Sequence, residues 1–459
     1  MPNQVPEEDD VPGIQSIKDR SKGTLVRGLG VAVLMLFFGA PGPEAQDWPQ
    51  WRGPARDGHA PTFQVPETWP ESLSREWRRE VGSGYSSPVV ADGRVCLHAR
   101  EGDDEKVFCL GLEDGEVLWL DTYSAPYSKN SYALDHGKGP NATPVLAEGR
   151  LHTLGMSGIL STYDVARGEL LWRFDASERV SSEKLFCGTS ASPLLVDGLL
   201  VVQLGDDVGG GGVFAFDPAT GDQRWLWDGA GPGYASPIVA EIGGVRQVVT
   251  LTQRSIVGLD LSSGALLWEI DFDDEWNENI VTPLVVGDML IVAGVRRGTW
   301  ARKVAQVEGR WTVGEAWTQA DLPQYMSSPV LAEGTLYGLS SRRKGQLFAL
   351  DVASGEIHWQ GEGRRGRNAA VVASGGEHLA VLTTEGALVF LDRSTEALRT
   401  VARYEVAEGG TWAHPALLDD RVVVRDAEAL TVWRLAAATD GDEGAAAEEG
   451  GEPTAGGDR

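Results

Sequence analysis

Apolar residues along this chain come in short runs, each cut off at once by Gly, Asp, Glu or Pro, and the runs return as one recognisable phrase. It reads SSPVVADGRV at 86–95, ATPVLAEGRL at 142–151, ASPLLVDGLL at 191–200 and ASPIVAEIGG at 235–244. The later copies are VTPLVVGDML at 281–290, SSPVLAEGTL at 327–336, AAVVASGGEHL at 369–379 and AHPALLDDRV at 413–422. Seven of the eight carry a proline at the third position, and with Ala370 taken as its equivalent in the seventh copy the period runs between 41 and 56 residues. Short β-rich runs at that period predict four strands per repeat and a propeller of eight blades.

A second phrase, D-x-x-x-G-x-x-x-W, follows the first: Asp164, Gly168, Trp172; Asp217, Gly221, Trp225; Asp260, Gly264, Trp268; Asp351, Gly355, Trp359. The first repeat keeps Gly115 and Trp119. The aspartate can cap a turn, the glycine can take a positive φ, and the tryptophan can fill the wedge between neighbouring sheets. Repeat 5 (Gly314, Trp317) and repeat 7 (Asp392, then Glu396 and Thr400) are degenerate but still fill a slot. After the eighth phrase only strands near 421–426 and 430–436 remain. The stretch SREWRREV at 74–81, with Trp77 in the closing position, is therefore expected to supply the missing outer strand and close the ring. The fold class is thus all-β, an eight-bladed propeller of four-stranded antiparallel blades, and a ring closed on itself is expected to be monomeric.

The expected boundaries are a leader at 1–45, an extension at 46–73 containing WPQWRGP, the propeller at 74–436 and an acidic tail at 437–459. The leader has an apolar stretch at 29–40 behind Lys18, Arg20, Lys22 and Arg27, which suits a signal-peptide core and an exported protein, or an uncleaved N-terminal anchor as the only membrane attachment. From Asp440 on, seven acids and one base among Ala and Gly read as a solvated, disordered terminus. The chain of 459 residues has 40 basic and 67 acidic side chains, a formal charge of −27, and that balance argues against nucleic acid as a partner.

The repeats, with their (A/S)-x-D-x-x-(T/S)-G-x-x-x-W character, resemble the pyrroloquinoline-quinone repeats of bacterial quinoprotein dehydrogenases and of BamB-like outer-membrane assembly scaffolds. The segment DWPQWRGPARDG at 47–58 resembles the opening of planctomycete-type exported repeat proteins. The likeness runs from about Asp47 to Leu435. On the dehydrogenase side it implies a channel quinone (PQQ) with a vicinal Cys-Cys disulfide, a stacking Trp and a Ca²⁺ held by Glu, Asn and Asp. This chain has Cys96, Cys109 and Cys187 and no adjacent pair, so no cofactor and no metal site is expected and no catalytic residue is assigned. The alternative is an oxidoreductase with an atypical site.

Other chemistry finds little support. Asp135, His136 and Lys138 sit in the long connection 121–139 without a marked nucleophile, GDDVGGGG at 205–212 lacks a P-loop lysine, and nothing in the spacing demands a glycosidic carboxylate pair such as Asp206 with Glu183. Cys96 and Cys109 flank the EGDDE hairpin symmetrically, which makes them a candidate cross-strand disulfide.

Two groups suggest binding. Three residues before each phrase proline, at the expected mouth of the channel, stand Tyr85, Asn141, Ser190, Tyr234, Ile280, Met326, Arg367 and Trp412. A basic sector comprises Arg296, Arg297, Arg302 and Lys303 on the middle loop of blade 5, Arg342, Arg343 and Lys344 on that of blade 6, and Arg364, Arg365 and Arg367 on the connection to blade 7. The acidic connection DFDDEWNEN at 271–279 lies beside it. Such a face suits a charged protein, peptide or polyanionic ligand. The expected function is a non-catalytic binding scaffold of the cell envelope or extracellular space, with an envelope protein or peptide as partner.

Overall fold

A computed structural model describes residues 47–130, 133, 137–181, 184–273 and 278–435. The leader, the acidic tail, Asp135, His136 and Glu183 lie outside the described residues. The described chain forms eight four-stranded antiparallel blades arranged as an eight-bladed propeller. Blade 1 shows the common plan, with strands Val89–Ala91, Arg94–Glu101, Asp104–Gly111 and Val117–Ser124 from the channel outward. The remaining inner strands start at Val145, Leu194, Ile238, Leu284, Val330, Ala369 and Ala416, each within its phrase and, where there is a proline, directly after it.

The phrase makes these elements for local reasons. Its Asp-Gly or Glu-Gly pair takes positive φ at both residues, as at Asp92 (50°) and Gly93 (70°) or Glu148 (52°) and Gly149 (71°), which suits the two-residue turn of a twisted hairpin. The residue before the proline supplies a hydroxyl to the preceding blade. Thr143 Oγ1 accepts from Ser87 N at 3.2 Å, Ser192 Oγ from Thr143 N at 2.9 Å and Ser236 Oγ from Ser192 N at 2.9 Å, and Ser87 Oγ accepts from His414 N at 2.9 Å across the closure. Closure itself uses Ser74–Glu80, which pairs antiparallel with Ala429–Arg434 as the outer strand of blade 8.

The hydrophobic core is divided among the interfaces between blades. Trp119 donates to Val165 O of the next blade at 2.7 Å, and the same bond runs from Trp77, Trp172, Trp225, Trp317 and Trp359. Each of the first five of these rings lies on the turn glycine of the next blade: Gly115, Gly168, Gly221, Gly264 and Gly355. A methyl group at Gly168 would stand 2.5 Å from the Trp119 ring on a backbone with φ of 72°. Gly168→Ala is therefore expected to cost about 1–3 kcal/mol, seen as a lower urea midpoint with unchanged slope.

Trp268 is the exception, donating to Gln247 Oε1 of its own blade at 2.5 Å. Blade 5 has long strands, Gly298–Val307 and Arg310–Gln319, so its outer turn has moved away and Gly314 lies inside a strand rather than at a docking turn. Cys96 and Cys109 are register partners on adjacent strands and are joined by a disulfide with Cα atoms 4.0 Å apart.

The extension before the propeller is built into the ring. Trp48 pairs with Val90 of blade 1, and Pro49 O accepts from Leu146 N of blade 2 at 2.8 Å. Arg56 Nη1 donates to Pro193 O of blade 3 at 2.7 Å and its Nη2 to Pro237 O of blade 4 at 3.0 Å. Trp51 Nε1 reaches Thr282 Oγ1 of blade 5, Arg52 Nη2 donates to Pro329 O of blade 6 at 2.5 Å, and His59–Ala60 pairs in parallel with Ala373–Ser374 of blade 7. Gln64 N then donates to Asp419 O of blade 8. Residues 48–64 thus touch every blade and fill the channel from the end where the phrase turns lie.

Candidate functional site

At the other end the channel opens into an aromatic basin of about 140 Å³ that is continuous with solvent. Of the eight positions three residues before the phrase proline or its equivalent, Tyr85, Asn141, Ser190, Tyr234, Ile280, Met326 and Trp412 line it. Arg367 does not; it is exposed on the rim, and its neighbour Asn368, buried and accepting from Ser327 Oγ at 2.5 Å, takes the lining place. The reason is the seventh copy, which lacks the proline and sets its inner strand, Ala369–Ser374, immediately after Asn368.

Five further lining groups were not legible in the repeat: Trp51, Phe186, Cys187, Glu278 and Tyr325. Trp51 belongs to the extension and packs against His414 with ring centroids 4.4 Å apart. Burial, helped by the charge of Arg52, pushes the His414 imidazole down to about 3, so it faces Trp51 as a neutral ring at ordinary pH.

The ionisable groups here are poorly suited to attack or proton transfer. Burial pushes the Cys187 thiol up to about 11 against the opposing charge of Lys129, which leaves it protonated at neutral pH. Burial also raises the Tyr234 and Tyr325 phenols, and Tyr325 is held further by donating to Glu278 Oε1 at 2.8 Å. Tyr325 thus donates to Glu278 while the Tyr234 hydroxyl accepts from Cys187 N at 3.3 Å, and both phenols stand as neutral groups in a largely apolar wall.

The basic sector separates into parts with different chemistry. Arg297 is paired with Asp273 of the blade 4 to 5 connection and lies over the Phe272 ring, and Arg342 pairs with Asp321 at 2.7 Å. Arg296 also has a partner. Arg302 and Lys303 are not on the middle loop of blade 5 as the sequence suggested. The loop is short and both fall inside Gly298–Val307, opposite Leu290 and Met289, with Arg302 stacked over Trp300 at 4.1 Å. That places them toward the far end of the blade. Arg343, Lys344, Arg364, Arg365 and Arg367 remain on the rim.

The family model described as outer membrane protein assembly factor BamB matches residues 103–361, more than half of the chain. The chain belongs to the BamB family. The BamB of Shewanella oneidensis is 23% identical over 369 residues, which cover 76% of this chain and 85% of that protein. Among solved structures, BamB from Moraxella catarrhalis superposes with a TM-score of 0.53 at 19% identity, covering 79% of this chain and all but 1% of that one. Quinohemoprotein alcohol dehydrogenase from Comamonas testosteroni superposes with a TM-score of 0.62 at 15% identity, covering 85% and 80%. At those identities the structural likenesses bear on the fold alone.

The dehydrogenase likeness raises the question of a quinone with its Ca²⁺, and the donors of this BamB-family chain do not fit one. A hard divalent cation needs several converging oxygens. Among the described lining residues Glu278 is the one carboxylate, and among the described residues no three His, Cys, Asp or Glu are grouped to hold a metal. Below the basin the axis carries the buried guanidinium groups of Arg52 and Arg56, whose charge opposes a divalent cation. The Cys96–Cys109 disulfide lies in the interface of blades 1 and 2, away from the basin.

Proposed function

We propose that this BamB-family chain is an exported, monomeric, non-catalytic scaffold that binds a protein partner of the cell envelope at the mouth of its channel, with no cofactor. The observation that carries this reading is the basin itself: Tyr85, Tyr234, Trp412, Trp51 and Met326 present apolar area, while the ionisable groups among them are neutral or already bonded. Aromatic anchors in a desolvated hollow are the usual source of binding energy at protein interfaces. The printed name of the relatives, an assembly factor for outer membrane proteins, supports a protein partner and an envelope location.

The test is capture from envelope extract with the full chain and with Trp412→Ala and Tyr85→Ala variants, read by quantitative mass spectrometry. Each truncation is expected to weaken recovery of the captured partner by about tenfold or more, at unchanged melting temperature. Equal recovery by parent and variants would remove the mouth from the interface. A stoichiometric quinone chromophore taken up with Ca²⁺ would instead favour the oxidoreductase alternative.

A further inference from the structure

The rim cations of blades 6 and 7 have been left over by the ion pairing of their own face. Arg297 and Arg342 are taken up by Asp273 and Asp321, yet Arg343, Lys344, Arg364, Arg365 and Arg367 make no ion pair among the described residues. Glu362, near them in sequence, and Glu385, whose carboxylate lies over Gly366, are not paired with them either. In a chain of charge −27, five such cations side by side are a local reversal of sign.

The backbone holds them there. Arg343, Lys344 and Arg364 have φ of 50°, 62° and 61°, a conformation that non-glycine residues avoid and that only surrounding structure maintains. What maintains it is a pair of bonds between two loops: Arg364 N donates to Arg343 O and Arg365 N to Gly345 O, both at 3.0 Å. Gly345 and Gly366 allow the close approach, since a Cβ on Gly345 would stand 2.1 Å from Gly366 O. The hairpin turns at the opposite end carry Asp92, Glu148, Asp197, Glu333 and Asp419 at their corresponding positive-φ positions, acids where this rim has Arg343, Lys344 and Arg364.

Resting on the scaffold reading, we infer that this rim docks an acidic, extended segment of the partner polypeptide, lying across the blade 6 and 7 loops beside the aromatic basin. Arginine suits carboxylates through its two-pronged geometry, and a preformed cluster loses little freedom on binding. A protein segment fits better than a nucleic acid because Asn368, next to Arg367, leads directly into an apolar basin, and because the rest of this acidic chain repels a long polyanion.

The experiment titrates a fluorescein-labelled oligo-glutamate against the full chain by anisotropy, beside an oligo-lysine and a single-stranded oligonucleotide of equal length. The oligo-glutamate is expected to bind, and to weaken about tenfold from low salt to about 0.3 M and again in a variant carrying Arg343→Gln, Lys344→Gln, Arg364→Gln and Arg365→Gln. Asp92→Asn with Glu148→Gln, on the far face, is expected to bind as the parent does. Should the fourfold variant fail to fold, Arg365→Gln with Arg367→Gln, both at ordinary φ, is expected to show a smaller loss in the same direction. Undiminished binding by the folded variants, oligo-lysine binding as tightly, or the oligonucleotide binding more tightly would each overturn the assignment. Loss of partner recovery in Trp412→Ala without any oligo-glutamate binding would remove the acidic segment and leave the scaffold reading standing. Failure of both would remove both.

Discussion

Arg56→Ala is expected to lower the unfolding free energy by about 2–4 kcal/mol, although the residue removed is a charged one on a segment outside the repeats. Its guanidinium joins two blades to the channel segment, through Pro193 O at 2.7 Å, Ser192 O at 3.3 Å and Pro237 O at 3.0 Å. Two effects compete. Burial, with the like charge of Arg52 adding to it, pushes Arg56 down to about 9, so removing the charge relieves some strain on the fold. Truncation, however, strands three buried carbonyls at about 1–3 kcal/mol each and opens space on the axis, and that sum is the larger. Arg56→Met, which keeps the stem but no donor, is expected to lose nearly as much, and Arg56→Lys to recover only part because one ammonium cannot span the same fork. Urea unfolding measures all three, and an Arg56→Ala midpoint equal to the parent's would show that the segment contributes little to holding the ring.

Glu105→Ala is expected to cost about 3–5 kcal/mol, the range for leaving a buried charge without its partner. Glu105 Oε1 accepts from Arg100 Nη2 at 2.9 Å and from Met156 N at 3.0 Å, and Oε2 accepts from Tyr123 OH at 2.8 Å with His98 Nε2 at 3.2 Å. Burial pushes this carboxyl up, but the charge and hydrogen bond of His98, with the Met156 and Tyr123 bonds, outweigh it and hold the group at about 2. The sign for acid stability follows. Below its ordinary 4.5 the unfolded chain binds this proton while the native chain does not, so the stabilisation is full above 4.5 and fades as pH falls toward 2. A shift of that size corresponds to about 3 kcal/mol. His152 and His414, pushed down by burial from 6.5 to about 4 and about 3, weaken the fold in the same direction from about pH 6.5 downward. Urea midpoints measured from about pH 7 to about pH 3 are therefore expected to fall steadily, and to fall less steeply in Glu105→Gln; parallel curves for the two proteins would refute the assignment.

The candidate site combines both kinds of information. Seven mouth positions were legible because they stand at a fixed offset in a repeated phrase, and a fixed offset along an inner strand becomes a fixed height in the ring. Arg367 was misplaced by the same logic, since the copy that lost its proline also shifted its lining residue to Asn368. Arg302 and Lys303 were assigned to a loop because blade 5 gives no docking glycine from which to count its longer strands.

The sequence by itself determined the ring: the number of blades, their turns, the tryptophan docking between them and the end-to-end closure. The blades and their turns depend on chemistry within a few residues, repeated eight times, so counting was enough, and the closure followed because the count left the last blade one strand short and one strand over at the start. Only the tertiary structure decided what fills the channel and which charges remain on its rim. Arg52 meets Pro329 across 277 residues and Trp51 meets Thr282 across 231, and no local pattern marks such contacts. Whether Arg297 or Arg343 keeps its charge available depends on which acid the fold brings beside it, a question of proximity that composition cannot answer.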